Sequence, residues 1–324
     1  MNPENSNPPP ETAPAPAPRA NLRVIGLGNA GAQLVERLRE MDLPETFLAV
    51  VNSDKAALAD AGVTEKLEIS AKWLGAHGHR SEPGRTELDA QESALKPLCE
   101  GAETVAIVAG LGGRAGTQLS LSLARAAKQS GAHVLAFVTM PFDCEGSVRY
   151  SKARQALDRL RAVADMVFCL PNQRVAGQLD EATNLADAYA VPARLMVECV
   201  RAVLHAGCAS TLMGLQFPDI CALLKERHAE TVFAVAQSEG ADRAANLVKQ
   251  LTEHPLLRGG RALAETDGLS LCVLGGPDLR VADVNQVMQQ LGRHSHNAPM
   301  VMGAGVNPAF AGKLTGVLLV SAPP

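Results

Sequence analysis

The chain has 324 residues, 47% hydrophobic and 20% charged, with a net charge of −4 and a pI near 6.1. At ~100–200 residues per domain this length fits two domains or one large one, with ample apolar material for a core. The acidic balance excludes a general nucleic-acid binder, which concentrates Lys and Arg against phosphates, but leaves room for a pocket around one anionic ligand.

Residues 1–20 carry seven of the twenty prolines and few large apolar side chains, so a disordered or polyproline-like tail is expected there, acting as a tether or spacer or as inert chain. From Asn21 the pattern alternates. Leu22–Gly26 reads as a strand, followed by a glycine turn and an amphipathic helix through Val35 and Leu38. Phe47–Val51 is the next strand and ends at Asn52-Ser53-Asp54; residues 72–90 read as a polar loop. Thr104–Ala109 is a strand running into a second glycine turn and a helix over Leu119–Lys128. Val134–Thr139 and Met166–Leu170 are further strands, giving a parallel sheet covered on both faces. A helical stretch follows over about 185–206, with Pro192 either opening a helix or kinking a longer one. Strands at 231–236, 268–274, 300–305 and 314–320, with helices at 242–252 and 281–291, suggest a second, smaller α+β domain.

The seven cysteines are dispersed and form no C-x-x-C pair, which points to reduced thiols in a cytosolic protein rather than disulfides or structural zinc. No signal-peptide pattern opens the chain and no apolar run reaches the ~18 residues of a membrane span, so a cytoplasmic location without membrane insertion is expected. His77 with His79 and His294 with His296 read as solvated loop histidines, since no Cys or carboxylate completes a ligand set; no metal site is expected from them.

Two glycine loops carry the chemistry. Gly26-Leu27-Gly28-Asn29-Ala30-Gly31 has the G-x-G-x-x-G spacing between a strand and a helix, where backbone amides can approach a phosphate. Asp54, 23 residues beyond Gly31, stands where a dinucleotide site places its ribose-binding acid. A second loop, Gly110-Leu111-Gly112-Gly113-Arg114-Ala115-Gly116-Thr117, also joins a strand to a helix and weakens the dinucleotide reading. Two such loops on one sheet suggest one nucleotide cradled from two sides. No G-x-x-x-x-G-K-[ST] is present, so the charge that holds phosphate comes from amides, helix dipoles and Arg114.

With these loops in hand, the sequence resembles the tubulin/FtsZ family on its bacterial FtsZ side. VIGLGNAG is similar to the family's first phosphate loop and GLGGRAGT to its GGGTGTG signature. Thr139–Gly146 with Arg149 is similar to TKPFNFEG…R, Leu170-Pro171-Asn172 to IPN, and Asp187-Ala188-Tyr189 to DAF. His254–Leu257 and Gly276–Leu279 resemble landmarks of the C-terminal domain, so the matches run in order from about residue 22 to 320.

The resemblance implies an α/β tubulin/FtsZ-like fold: a tail over 1–20, a parallel-sheet GTP-binding domain over 21–183, a core helix over 184–207 and a smaller α+β domain over 208–324. It implies GTP or GDP as ligand, with Mg2+ as an accompanying ion, and head-to-tail assembly of copies of the chain into protofilaments. Gly26, Gly28, Gly31, Gly112, Gly113, Gly116 and Thr117 would hold phosphates, with Asn29, Ala30, Gln33, Arg114 and Ala115 completing the two loops. Glu145 and Arg149 would face ribose, Asn172 the guanine edge, and Tyr189 would stack on the base.

The departures bear on mechanism. Arg114, Ala115 and Gln118 stand where the family signature has Gly, Thr and Gly. Arg114 would be strained if the position needs positive φ, would pair with phosphate oxygens if it points inward, and would do nothing special in solvent. Ala193 replaces the family's second guanine-reading Asn. The loop at 212–219 has Gly214 and Gln216 where the family has Asn and Asp, leaving Asp219 as its one carboxylate. Losing a positioned base costs ~10²–10⁴-fold, so slow hydrolysis is expected. Gln216 and Asp219 sufficing for full GTPase activity, and a non-polymerising nucleotide-binding regulator, are the alternatives; Asp219 capping a following helix is a third use of that residue. The sequence ends at Pro324 without the linker and adaptor-binding peptide of a bacterial division FtsZ, so recruitment by such adaptors is not expected.

Overall fold

A computed structural model describes residues 21–41, 43, 45–74, 84–176, 179–180, 182–207 and 230–322. Six strands form a parallel sheet in the order β3-β2-β1-β4-β5-β6: β1 (Leu22–Leu27), β2 (Thr46–Asn52), β3 (Glu65–Glu68), β4 (Thr104–Gly110), β5 (His133–Met140) and β6 (Met166–Pro171). β1 to β3 build outward in one direction and β4 to β6 in the other, so the order reverses between β1 and β4. A ligand crevice in a doubly wound sheet lies beyond the carboxyl ends of the strands at such a reversal.

The reversal also assigns the helices to faces. α1 (Gly28–Arg39) packs Leu34, Val35 and Leu38 on one face, in a core with Val24, Val50, Val108 and Phe137. α4 (Arg114–Gln129) packs Leu119 and Leu123 on the other, among Ile25, Val51, Ile107 and Val138. Alternate residues of each strand thus feed opposite cores, and strands buried on both faces carry the near-continuous apolar runs seen in the sequence. Arg23 is buried in β1, donates to the Leu98 and Glu100 carbonyls and lies 5.3 Å from the Phe47 ring centre.

Three further helices lie before β4 or around β5 and β6: α2 (Lys55–Asp60), α3 (Arg85–Leu95) and α5 (Ser147–Arg161). The stretch read as a loop over 72–90 therefore begins α3 at Arg85, and residues 75–83, with His77 and His79, lie outside the described residues. After α6 (Asn172–Ala176) comes α7 (Leu185–Gly207), with Pro192 at an interior position rather than at the start.

The second sheet is mixed, in the order β7-β10-β8-β9: β7 (Glu230–Glu239), β8 (Gly268–Gly275), β9 (Met300–Val306) and β10 (Lys313–Ala322). β10 runs antiparallel to β7 and β8, while β8 and β9 are parallel. Its helices are α8 (Arg243–Thr252), α9 (Arg261–Ala264) and α10 (Val281–His294). The face of the first sheet that carries α1 shares one continuous core with α7 and this second sheet. Phe137 stacks on Phe168 at 4.4 Å, and Phe168 meets Phe233 of β7 edge-on at 6.5 Å, so three of the chain's few aromatics join the sheets.

Candidate nucleotide site

The glycine loops leave β1 and β4 side by side at the reversal and open onto one cavity of about 380 Å³, within the usual range for a small-molecule site. Gly28 (φ 68°) turns the chain into α1, and a Cβ there would lie 3.2 Å from Gly116 N and the Ala115 methyl. Gly26 and Gly31 let α1 lie directly on the sheet, since a Cβ on Gly31 would come within 2.4 Å of the Val108 carbonyl. Gly116 does the same for α4, where a Cβ would sit 2.3 Å from the Gly110 carbonyl. The close approach of both helices brings their N-terminal amides to one place, which is the requirement for holding an anion.

The cavity brings together Gly28, Asn29, Ala30, Gly113, Arg114, Ala115, Gly116, Glu145, Arg149, Asn172 and Tyr189. Gly26, Gly31, Gly112 and Thr117 lie behind this lining as packing and turn residues, and Gln33 is on the exposed face of α1. Gly112 (φ 93°) sits under Arg149, whose Cγ a Cβ would meet at 2.8 Å, and its amide donates to the Thr117 hydroxyl. Gln216 and Asp219 lie outside the described residues.

Arg114 is the first residue of α4 and has no positive φ; the positive φ of the loop falls on Gly112, where glycine adopts it freely. Its guanidinium donates to the Ala71 carbonyl at 3.1 Å, tying the second loop to the 3-10 turn Ala71–Leu74. Asn52 and Asp54 also line the pocket; Asp54 is the acid that the spacing from Gly31 picks out, whereas Asn52 is not marked by the glycine spacing. Asn52 donates from Nδ2 to Asn29 Oδ1 at 2.6 Å and takes the Ser53 amide on its own oxygen. Asp54 caps α2 by accepting from the Ala56 and Ala57 amides, the role its place before a helix favours.

The far wall is built on the β5–α5 turn and α7. Glu145 accepts the Phe142 amide at 2.8 Å and pairs with Arg149 Nε at 3.0 Å. Tyr189 meets Phe142 edge-on at 4.9 Å, with the Glu145 carboxylate beside it in the same wall. Burial first, then the neighbouring Glu145 carboxylate, push the phenol up to about 12, so it stays protonated. Asn172, at the start of α6, is buried, and its Oδ1 has no hydrogen-bond partner among the described residues. A buried amide oxygen left unpaired costs stability, and in a pocket wall it suits a ligand N–H. Amide-lined loops on one side and an unpaired carboxamide with an aromatic face on the other fit a nucleotide's two ends.

The tubulin/FtsZ family, GTPase domain, matches residues 21–180. Cell division protein FtsZ 1 of Archaeoglobus fulgidus is 28% identical over 305 residues, covering 93% of this chain and 81% of that protein. FtsZ of Rickettsia felis is 28% identical over 308 residues, covering 94% and 67%. Among solved structures, an empty dimer of Methanocaldococcus jannaschii FtsZ superposes with a TM-score of 0.80 at 24% identity, covering 93% of this chain and 88% of that one. CetZ2 of Haloferax volcanii, in a GTPγS-bound protofilament, gives 0.71 at 19%, covering 93% and 92%. With its two-loop site, six-stranded parallel sheet and second mixed sheet, the chain belongs to the tubulin/FtsZ family as a divergent FtsZ-like member.

Proposed function

We propose that this protein is a cytoplasmic, guanine-nucleotide-dependent filament former whose GTP turnover is slow. The observation that carries the reading is the single cavity shared by both glycine loops and closed opposite by Asn172 and Tyr189. In this reading the loop amides and the N-termini of α1 and α4 hold the phosphates, Arg149 and Glu145 lie on the sugar side, Tyr189 stacks on the base and Asn172 reads its edge. Among the described residues no group of three His, Cys, Asp or Glu is placed to hold a metal, so an accompanying Mg2+ would be held mainly through phosphate oxygens and water. No described helix is long and apolar enough to cross a membrane.

The relatives support self-association: one solved FtsZ is a dimer and one CetZ2 a protofilament. Head-to-tail stacking would bring residues 212–219 of one copy to the nucleotide of the next. There Gln216 can orient water but cannot accept its proton, leaving Asp219 as that segment's one carboxylate, and filaments would be long-lived.

The test is to denature freshly purified protein and identify the released nucleotide by chromatography. Near-stoichiometric GTP supports both binding and slow turnover. Predominant GDP keeps the binding reading and removes slow turnover; no guanine nucleotide, with no uptake of added GTP, overturns the site. For assembly, electron microscopy with GTP across a wide protein concentration range is expected to show filaments, and monomers throughout would overturn that part.

A further inference from the structure

The first glycine loop and the end of β2 meet through side chains as well as backbone. In the parallel pairing of β1 with β2, Leu27 lies beside Val51, so Asn52 comes next to the Gly28–Asn29 turn that opens α1. Asn52 is 2% exposed, and its carbonyl takes the Ile69 amide at 2.9 Å, which fixes its backbone to the residue after β3. Its side-chain Oδ1 accepts the Ser53 amide at 2.8 Å and the Asp54 amide at 3.3 Å. A backbone N–H can only donate, so those two bonds decide which end of the carboxamide is oxygen. The other end, Nδ2, donates to Asn29 at 2.6 Å, and a donor there obliges Asn29 to present its Oδ1. With that oxygen engaged, what Asn29 can offer the cavity it lines is its NH2 end.

We infer that Asn52 is a positioning residue: it sets the Asn29 carboxamide donor-first, so that the Asn29 side chain holds a phosphate oxygen of the nucleotide. The inference rests on the guanine-nucleotide reading above and adds to it a side-chain phosphate contact and the residue that sets its polarity. Asn29 is the second residue of α1, where an anion held by the helix N-terminus lies. A carboxamide turned the other way would bring its oxygen against the phosphate. The two ends of a carboxamide have nearly the same shape, so a neighbour's hydrogen bonds must hold the donor end toward an anion. Asn52 does so from a polarity that the backbone itself imposes.

The experiment is calorimetric titration of nucleotide-free protein with GDP, on wild type, Asn29→Ala, Asn52→Asp and the double variant. Asn29→Ala removes the donor and is expected to weaken GDP binding about tenfold, on the scale of one hydrogen bond to a charged group. Asn52→Asp keeps the size and the acceptor for the Ser53 and Asp54 amides, but its second oxygen cannot donate. Asn29 would then turn its NH2 toward that carboxylate and its oxygen toward the phosphate, and GDP binding is expected to fall about tenfold or more. The added charge also repels phosphate, and it does so with or without the Asn29 side chain. The positioning effect is therefore read from the cycle: Asn52→Asp is expected to cost at least about fivefold less in the Asn29→Ala background. A role confined to holding the Ser53–Asp54 turn would give the same factor in both backgrounds. Equal factors overturn the inference, as does GDP binding that Asn29→Ala leaves unchanged or tightens. Because Asn29 is exposed, Asn29→Ala decides even if Asn52→Asp folds poorly. Should wild type bind no GDP, the guanine-nucleotide reading falls and this inference with it.

Discussion

The Thr117 hydroxyl accepts the Gly112 amide at 2.8 Å and so closes the second glycine loop from within. Gly112 has φ 93°, a conformation that L side chains avoid, and among the described residues no other group takes its amide. Thr117→Val keeps the shape and removes the acceptor. Leaving the amide unpaired costs about 1–3 kcal/mol, part of which falls on the loop conformation that presents the neighbouring amides. Guanine-nucleotide affinity is expected to drop about tenfold in a titration, on the scale of one lost hydrogen bond, with Thr117→Ser restoring most of it.

Gly116 makes a sharper demand. Its missing Cβ is what lets α4 rest on the end of β4, because the added carbon would lie 2.3 Å from the Gly110 carbonyl, a backbone atom that cannot swing aside. Gly116→Ala must push α4 off the sheet, at a cost of about 1–3 kcal/mol from overpacking. It also withdraws the helix N-terminus from the cavity. Urea denaturation is expected to show the loss, together with weakened nucleotide binding. Gly113→Ala, with φ −80° and only the tip of Arg149 within 3.9 Å, is expected to fold as stably as wild type.

The strands of both sheets and the two glycine loops were legible because apolar runs and glycines between them are local signals. β3 was not: its four residues, EKLE, lie at the sheet edge and carry one half-buried Leu67, too little for any periodicity. α5 escaped for a related reason, since its many charged residues leave only Ala153, Ala156, Leu157 and Leu160 buried. Asn172 and Tyr189 were legible as pocket residues through family resemblance alone. Their meeting with Glu145 depends on α6, α7 and the β5–α5 turn converging, which no local pattern encodes. The tie from Arg114 to Ala71 spans 43 positions and is likewise a product of the fold.

The second sheet has its own ionic lock. Arg243 is nearly buried, with 5% of its side chain exposed, and donates to Asp283 Oδ2 at 2.6 Å and to the carboxylate of the more exposed Asp278. Burial alone would raise the Asp283 carboxyl, but hydrogen bonds from Arg280 and Arg243 outweigh it and hold the group below its usual range. Asp283→Ala leaves the buried guanidinium with only the more exposed Asp278 as its counter-charge and removes the acceptor of the Arg280 amide at the start of α10. A loss of about 3–5 kcal/mol in urea denaturation is expected. Asp278→Ala, which leaves Asp283 in place, should cost clearly less; equal losses would show that the buried partner is not the dominant one.

His254 is expected to weaken the fold in mild acid. It is 8% exposed, and its Nδ1 accepts the Leu256 amide at 3.3 Å, capping the short 3-10 turn Pro255–Leu257. A protonated ring cannot accept there, and burial pushes its pKa down to about 4 from the ordinary 6.5. The sign follows from proton uptake. Between about 6.5 and about 4 the unfolded chain binds a proton that the folded chain refuses, so stability is whole above that window and falls as the pH drops through it. Integrated from pH 7 to 4.5, the loss is roughly 2–3 kcal/mol. Glu198 acts oppositely: burial raises its pKa despite Arg194 and Arg201, so its own contribution grows on acidification. The difference between wild type and His254→Asn, which keeps an acceptor for the Leu256 amide but does not titrate, isolates the histidine. Urea denaturation of the two at pH 7 and pH 4.5 should show wild type losing about 2–3 kcal/mol more than the variant. Parallel pH profiles would mean that His254 is not what limits the fold in acid.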